Sequence, residues 1–209
     1  MERLSPEEKI YFAFYETKKK MLYYSQLKER TGLSDSSLQN ALKKLVKRKE
    51  IEAIKEKANT FYRLKNKNKT KLRFARFDYD RLERLNPDVS IPLKKFLAEM
   101  PDNVSFIILF GSASRKQEKK ESDIDLLVVL HNFENKKLQK QYEKEMKAVF
   151  GRLKEKISAT SIYPLSIFYA DKKSYIEGGD RVVIEAKQGG FCISGNMEYY
   201  EVMLNESSN

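Results

Sequence analysis

Two side chains are nearly missing from this sequence: it has one cysteine, Cys192, and one histidine, His131, in 209 residues. A single thiol excludes an intrachain disulfide framework and a cysteine-rich zinc cluster. A single imidazole argues against histidine-based metal sites and Ser-His triads; His131 itself reads as a strand-end residue. No apolar run approaches the roughly 18 to 20 residues needed to cross a bilayer. The first twenty residues, MERLSPEEKIYFAFYETKKK, mix charge throughout and lack the apolar core of a signal peptide. The expectation is a cytoplasmic, soluble protein with no membrane partner. No internal repeat is visible.

Charge is abundant and unevenly spread. The net charge is +11. Residues 1–65 carry 16 Lys/Arg against 9 Asp/Glu, whereas residues 66–209 carry 25 against 21. The excess sits in the first third of the chain, where a nucleic-acid surface is expected. Solvated helix faces in a lysine-rich protein would give the same count.

The first 65 residues are well punctuated. PEEKIYFAFYET (6–17) reads as a helix with proline in its first turn and acids after it. Ser25 is a candidate N-cap for a short helix that ends at Thr31-Gly32. Ser34 or Asp35 caps the next helix, about 35–49, whose Leu38, Ala41, Leu42 and Leu45 fall at helical spacing. IEAIKEKANTFYRLK then reads as a hairpin with its polar tip at Lys57-Ala58-Asn59. Three helices and a hairpin resemble a winged helix-turn-helix domain. That resemblance makes the 35–49 helix the recognition helix. Ser36, Ser37, Gln39, Asn40, Lys43, Lys44 and Lys47 would face double-stranded DNA, with Lys55 and Lys57 on the wing. Small polar residues suit base edges and lysines suit phosphates. The bland alternative is a module used only for dimerisation or protein contact.

Residues 66–89 read as a linker, turn-prone and flexible at its Asn/Lys-rich start, with a short helix in FDYDRLERL before Pro87. Residues 90–209 read as a second domain of α/β type, opened by a helix near 91–100. Strands are expected at VSFIILFG (104–111), SDIDLLVVLH (122–131) and YPLSIFYA (163–170), with a short edge strand at GGFCISG (189–195). A long amphipathic helix over 134–157 presents Leu138, Tyr142, Met146, Phe150 and Leu153 on one face, and one or two helices follow the third strand. Cys192, Tyr199 and Tyr200 read as packing residues.

The chemistry concentrates in FGSASRKQEKKESDID (110–125). A glycine ending a buried strand lets backbone approach a phosphate, because no Cβ intervenes. Ser112 adds a hydroxyl and the start of a helix. Asp123 and Asp125, two apart on extended chain, point to one face while Ile124, Leu126, Val128 and Leu130 point into the core. Paired carboxylates beside a phosphate cradle suit Mg²⁺ or Mn²⁺. Strand capping by Asp123 and a lysine partner for Asp125 is the structural alternative.

This pattern, G-S-x10-D-x-D, resembles the signature of minimal nucleotidyltransferases in the DNA polymerase β superfamily. The resemblance covers about residues 90–195 and implies a mixed sheet flanked by helices. The fold class expected for the whole chain is therefore a two-domain α+β and α/β protein. Gly111 and Ser112 would grip the β/γ phosphates of a nucleoside triphosphate, with ATP the expected one. Arg115 fills the family's arginine place, and Asp123 and Asp125 would be catalytic and hold the metal. The glycine that often follows is Lys116 here, so a differently shaped loop is expected. The family usually adds a third carboxylate from a later strand. Here Leu165 and Ser166 occupy that stretch, and Asp171 lies at its far end, where it reads as the N-cap of the next helix, with a catalytic role as the alternative.

The resemblance implies transfer of a nucleoside monophosphate to an acceptor. Relatives of this kind act as antitoxins that AMPylate a partner toxin, typically a helical HEPN protein, and a fused winged helix fits control of such an operon. The competing reading is a non-enzymatic regulator whose second domain only binds nucleotide or forms a homodimer. Transfer to RNA or to a small molecule such as an aminoglycoside is the third.

Overall fold

The computed structural model describes residues 4–56 and 59–206. They divide into two compact units, 1–77 with 203–209, and 78–202.

In the first unit, α1 (Pro6–Thr17) begins where the sequence dictates. Ser5 Oγ accepts from Glu8 N–H and Glu8 Oε2 accepts from Ser5 N–H, at 3.2 and 3.0 Å, a reciprocal cap ahead of Pro6. A three-residue strand, β1 (Met21–Tyr23), then pairs antiparallel with the strand Asn59–Leu64, Leu22 opposite Tyr62. This strand displaces the expected Ser25 cap: α2 (Tyr24–Thr31) starts directly after it, and Gln26 Oε1 accepts from Tyr23 N–H. Gly32, at φ +61, closes α2 with its N–H on the Lys28 carbonyl. Ser34 caps α3 (Asp35–Lys47), which buries Leu38, Ala41, Leu42 and Leu45. Strands β2 (Ile51–Glu56) and β3 (Asn59–Leu64) form the hairpin, with Ile51 opposite Leu64 and Ile54 opposite Phe61. The sheet order is β1-β3-β2.

The stretch expected as a flexible Asn/Lys linker is helical: α4 spans Lys67–Glu83. Asn66 starts it, its carbonyl accepting from Thr70 N–H and its side chain from Lys69 N–H. Phe74 and Phe77 are buried, and both rings meet Tyr15 of α1 edge-on or tilted. Aromatic burial outweighs the turn-prone composition.

The second unit is built on a four-stranded sheet of order β6-β5-β4-β7. Helix α5 (Pro87–Glu99) leads into β4 (Phe106–Phe110), which ends in a single helical turn, α6 (Gly111–Ser114). The loop beyond returns as β5 (Ile124–Leu130), antiparallel to β4. Helix α7 (Lys136–Ser158) crosses over to β6 (Leu165–Asp171), parallel to β5. Two short helices, α8 (Lys172–Glu177) and α9 (Arg181–Gly189), precede the edge strand β7 (Phe191–Ser194) and α10 (Asn196–Glu206). Ile124, Leu126, Val128 and Leu130 join α5 and α7 in one core, with Tyr142, Met146, Phe150 and Leu153. Leu138, expected on that face, is 54% exposed because it lies in the first turn of α7. Leu127 and Val129 are buried on the opposite face, where Phe106 meets Tyr175 and Tyr199 edge-on. Both faces of the sheet are covered, so β4 and β5 read as continuous apolar runs. No helix among the described residues is long and apolar enough to cross a membrane.

Candidate functional site

The register of β4 against β5 puts Phe110 opposite Asp125. Gly111 therefore sits beside the carboxylate. It adopts φ +69, and a Cβ built there would lie 2.1 Å from Asp125 Oδ2. The glycine is thus required twice, by its left-handed backbone and by the oxygen packed against its Cα. Asp125 is half-buried and Asp123 exposed, just ahead of the first residue of β5. Burial, then the charges of Asp123 and Glu185, push the Asp125 carboxyl up to about 6, against the opposing pull of Arg115. Glu185 is an acid the sequence reading missed. It lies on α9 one turn before Gly189, whose carbonyl accepts from Ser114 Oγ at 3.3 Å, and it pairs with Arg181 at 2.9 Å. Only tertiary packing brings α9 to α6; no local signal marks it.

The α6 turn is tied internally. Ser114 Oγ donates to the Gly111 carbonyl at 2.9 Å, and the Ser112 carbonyl accepts from the Arg115 and Gln117 amides. Arg115 is exposed, with its Nε on Gln117 at 3.2 Å. Lys116, at φ +56, takes the left-handed conformation natural to glycine. The turn keeps a glycine-like path with a lysine in it.

The parallel register of β5 and β6 shows which β6 residues stand beside Asp125. Ser166 stands opposite Asp125 and Leu165 opposite Ile124. Asp171 pairs with Leu130, five residues and about 16 Å further along. Its carboxylate accepts from the Ser174 hydroxyl at 2.6 Å and from Asn132, and caps α8 through the Lys173 and Ser174 N–H groups. Burial works to raise its pKa, but these bonds hold it down at about 2. Asp171 is a structural cap. Among the described residues, no three His, Cys, Asp or Glu side chains gather as a metal-binding group.

In the first unit, Ser36, Gln39, Asn40, Lys43, Lys44, Lys47 and Lys55 are all exposed. Lys44 approaches Glu7 at 3.6 Å, and Ser36 Oγ lies 3.2 Å from Ser34 Oγ. Lys57 falls outside the described residues.

Residues 92–170 match the family model described as Polymerase beta, Nucleotidyltransferase. The span runs from within α5 through Gly111, Ser112, Asp123 and Asp125 almost to the end of β6. The match supports the nucleotidyltransferase superfamily for this segment and a nucleotidyltransferase activity in general. Neither the curated proteins nor the solved structures compared with the chain gave a match.

Proposed function

We propose that the second unit transfers a nucleoside monophosphate from a nucleoside triphosphate to an acceptor, using Gly111, Ser112, Arg115, Asp123 and Asp125. The observation that carries this reading is Gly111 against Asp125 with Asp123 beside it. Backbone bare of a Cβ stands next to two carboxylates that repel each other, and that repulsion is relieved when a cation joins them. Two carboxylates plus substrate phosphates suffice for Mg²⁺, which rarely asks for an all-protein cage. Asp123 and Asp125 would hold the ion. Once bound, it would offset phosphate charge and help align the α-phosphate. Gly111 gives the β/γ phosphates close approach, the Ser112 hydroxyl donates to them, and Arg115 adds a positive charge one turn away. The acceptor oxygen bonds to the α-phosphorus as the bond to pyrophosphate breaks. ATP is the first nucleotide to test. A hydroxyl on a HEPN-type protein, in the manner of an AMPylating antitoxin, is the first acceptor.

We read the first unit, with its element order α1-β1-α2-α3-β2-β3, as a winged helix-turn-helix and as the DNA-binding part. Ser36, Gln39, Asn40, Lys43, Lys44 and Lys47 would face the duplex and Lys55 the wing. A second reading, nucleotide binding without turnover in a winged-helix regulator, is favoured by Ser166 where a third carboxylate would stand. Isothermal titration of each nucleoside triphosphate with Mg²⁺, beside the Asp123→Ala/Asp125→Ala variant, tests the site. Label transfer from the α-phosphate then separates the readings. Metal-dependent binding lost in the variant supports the site, and transferred label supports the enzyme. Binding without transfer to any acceptor supports the regulator, and no binding removes both.

A further inference from the structure

A cavity of about 1010 Å³ opens in the first unit between α3 and the β2–β3 hairpin. It arises because the hairpin peels away from the helix. Ile51 is buried, while Ala53 and Lys55, the next residues on the same face of β2, are exposed. Leu42, Val46 and Ala53 give the cavity an apolar floor, and Val46 is 37% exposed there. Its polar rim is cationic: Lys43 and Lys47 stand one turn apart on α3, about 6 Å, and Lys55 faces them from the hairpin. Tyr24 and Tyr62 supply rings, and Gln39 an amide. Among the described residues no carboxylate lines the cavity. Asp35, which accepts from Tyr24 Oη at 3.0 Å, already pairs with Lys28 at 2.6 Å.

Cations, ring faces and an apolar floor without acids select an anion that carries flat apolar groups. A duplex does not fit that description inside a cleft. Its bases are stacked on one another and present only their edges, and it meets proteins through protruding helices. Unpaired bases offer their faces to aromatic side chains while lysines follow the backbone. The volume lies at the upper end of the about 300–1,000 Å³ usual for small-molecule pockets, room for more than one nucleoside.

We propose that the cleft between α3 and the β2–β3 hairpin binds single-stranded nucleic acid, with bases against Tyr24 and Tyr62 and phosphates on Lys43, Lys47 and Lys55. This rests on the reading of the first unit as a nucleic-acid-binding module and changes which nucleic acid it prefers. Stacking on a tyrosine is sequence-tolerant, so base preference is weak.

The test is fluorescence anisotropy of the full chain with a short labelled single-stranded RNA, the matching single-stranded DNA and the annealed DNA duplex, at physiological ionic strength. Both single strands should bind about tenfold more tightly than the duplex. Tyr62→Ala should weaken them by about tenfold, and Tyr62→Phe should retain binding. Lys55→Glu, at an exposed position, should weaken binding without loss of fold by circular dichroism, which covers the case that Tyr62→Ala unfolds. Preference for the duplex over both single strands overturns this proposal, whatever the variants do, and leaves the duplex reading standing. Tight single-strand binding that ignores a folded Tyr62→Ala or Lys55→Glu protein places the site elsewhere and also overturns it. Absence of binding to all three removes the nucleic-acid reading itself.

Discussion

Gly111 and Lys116 bracket the α6 turn, both with positive φ, and they carry opposite predictions. Gly111 cannot accept a Cβ, which would meet Asp125 Oδ2 at 2.1 Å. Gly111→Ala should therefore displace the carboxylate and abolish Mg²⁺-dependent nucleotide binding in calorimetry, with the protein still folded. Lys116 pays for a left-handed backbone at φ +56. Lys116→Gly relieves that strain, less the extra entropy of glycine, and should raise stability by about 0.5–1 kcal/mol in denaturant unfolding. Asp125 supplies a pH signature. Its folded pKa is raised to about 6 from an ordinary 3.8. A carboxyl so shifted contributes stability below about pH 4, and that contribution is lost as pH rises through 6. Asp125→Asn should thus stabilise the metal-free protein at pH 7.5, by about 1–2 kcal/mol after discounting for solvent screening. Near pH 4 it should have little effect. Melting temperatures at the two pH values in chelator check the sign, and equal shifts at both would refute the coupling.

At the scale of elements, Glu50 holds the first unit together. It is 1% exposed at the turn from α3 into β2. Its carboxylate accepts from Tyr11 Oη of α1 at 3.1 Å and Lys69 Nζ of α4 at 2.8 Å, with Arg73 at 3.6 Å. Burial works to raise its pKa, yet the bonds from Lys69 and Tyr11 keep it below the usual carboxylate range. The stability it confers is present above the unfolded pKa and is lost as pH falls through the lower folded value. Removing the charge strands Lys69 and Arg73 beside a buried amide. Glu50→Gln should cost about 3 kcal/mol at neutral pH, read by urea unfolding, and clearly less in acid. These partners also explain what the sequence could reveal. Elements with local punctuation were legible: Ser5-Pro6-Glu8 for α1, Ser34 for α3, apolar runs for β4 and β5. Strand β1 was not, because three residues become a strand only through Leu22 meeting Tyr62, forty residues away. Helix α4 was hidden because its polar composition is overruled by Phe74 and Phe77 packing on Tyr15. At the site, the spacing of Gly111, Ser112, Asp123 and Asp125 was readable from the chain. Glu185 and the backbone of Lys116 were not, since one depends on where α9 packs and the other on a dihedral angle.

At the scale of the whole molecule, charge and chemistry lie in different parts of the chain. Residues 1–65 hold a net +7 of the total +11. The two aspartates and the Gly111 turn lie in the unit spanning 78–202. The cationic residues of α3 and the aspartate pair belong to different units. Binding of nucleic acid and binding of nucleotide should therefore be separable by substitution. Replacing Lys43, Lys44 and Lys47 by Ala removes three cations. If all three neutralise phosphates, the slope of log affinity against log salt should flatten by about 2 for a single strand, or nearly 3 for a duplex. Mg²⁺-dependent nucleotide affinity should stay as in the wild type. Asp123→Ala/Asp125→Ala should do the reverse, abolishing nucleotide binding while leaving the salt slope in place. A triple-lysine variant that also loses nucleotide binding, with its fold intact by circular dichroism, would mean that the two activities share a surface or are coupled. The regulator reading would then gain over an enzyme that merely carries a nucleic-acid-binding module, because coupling of that kind is what a nucleotide-sensing switch requires.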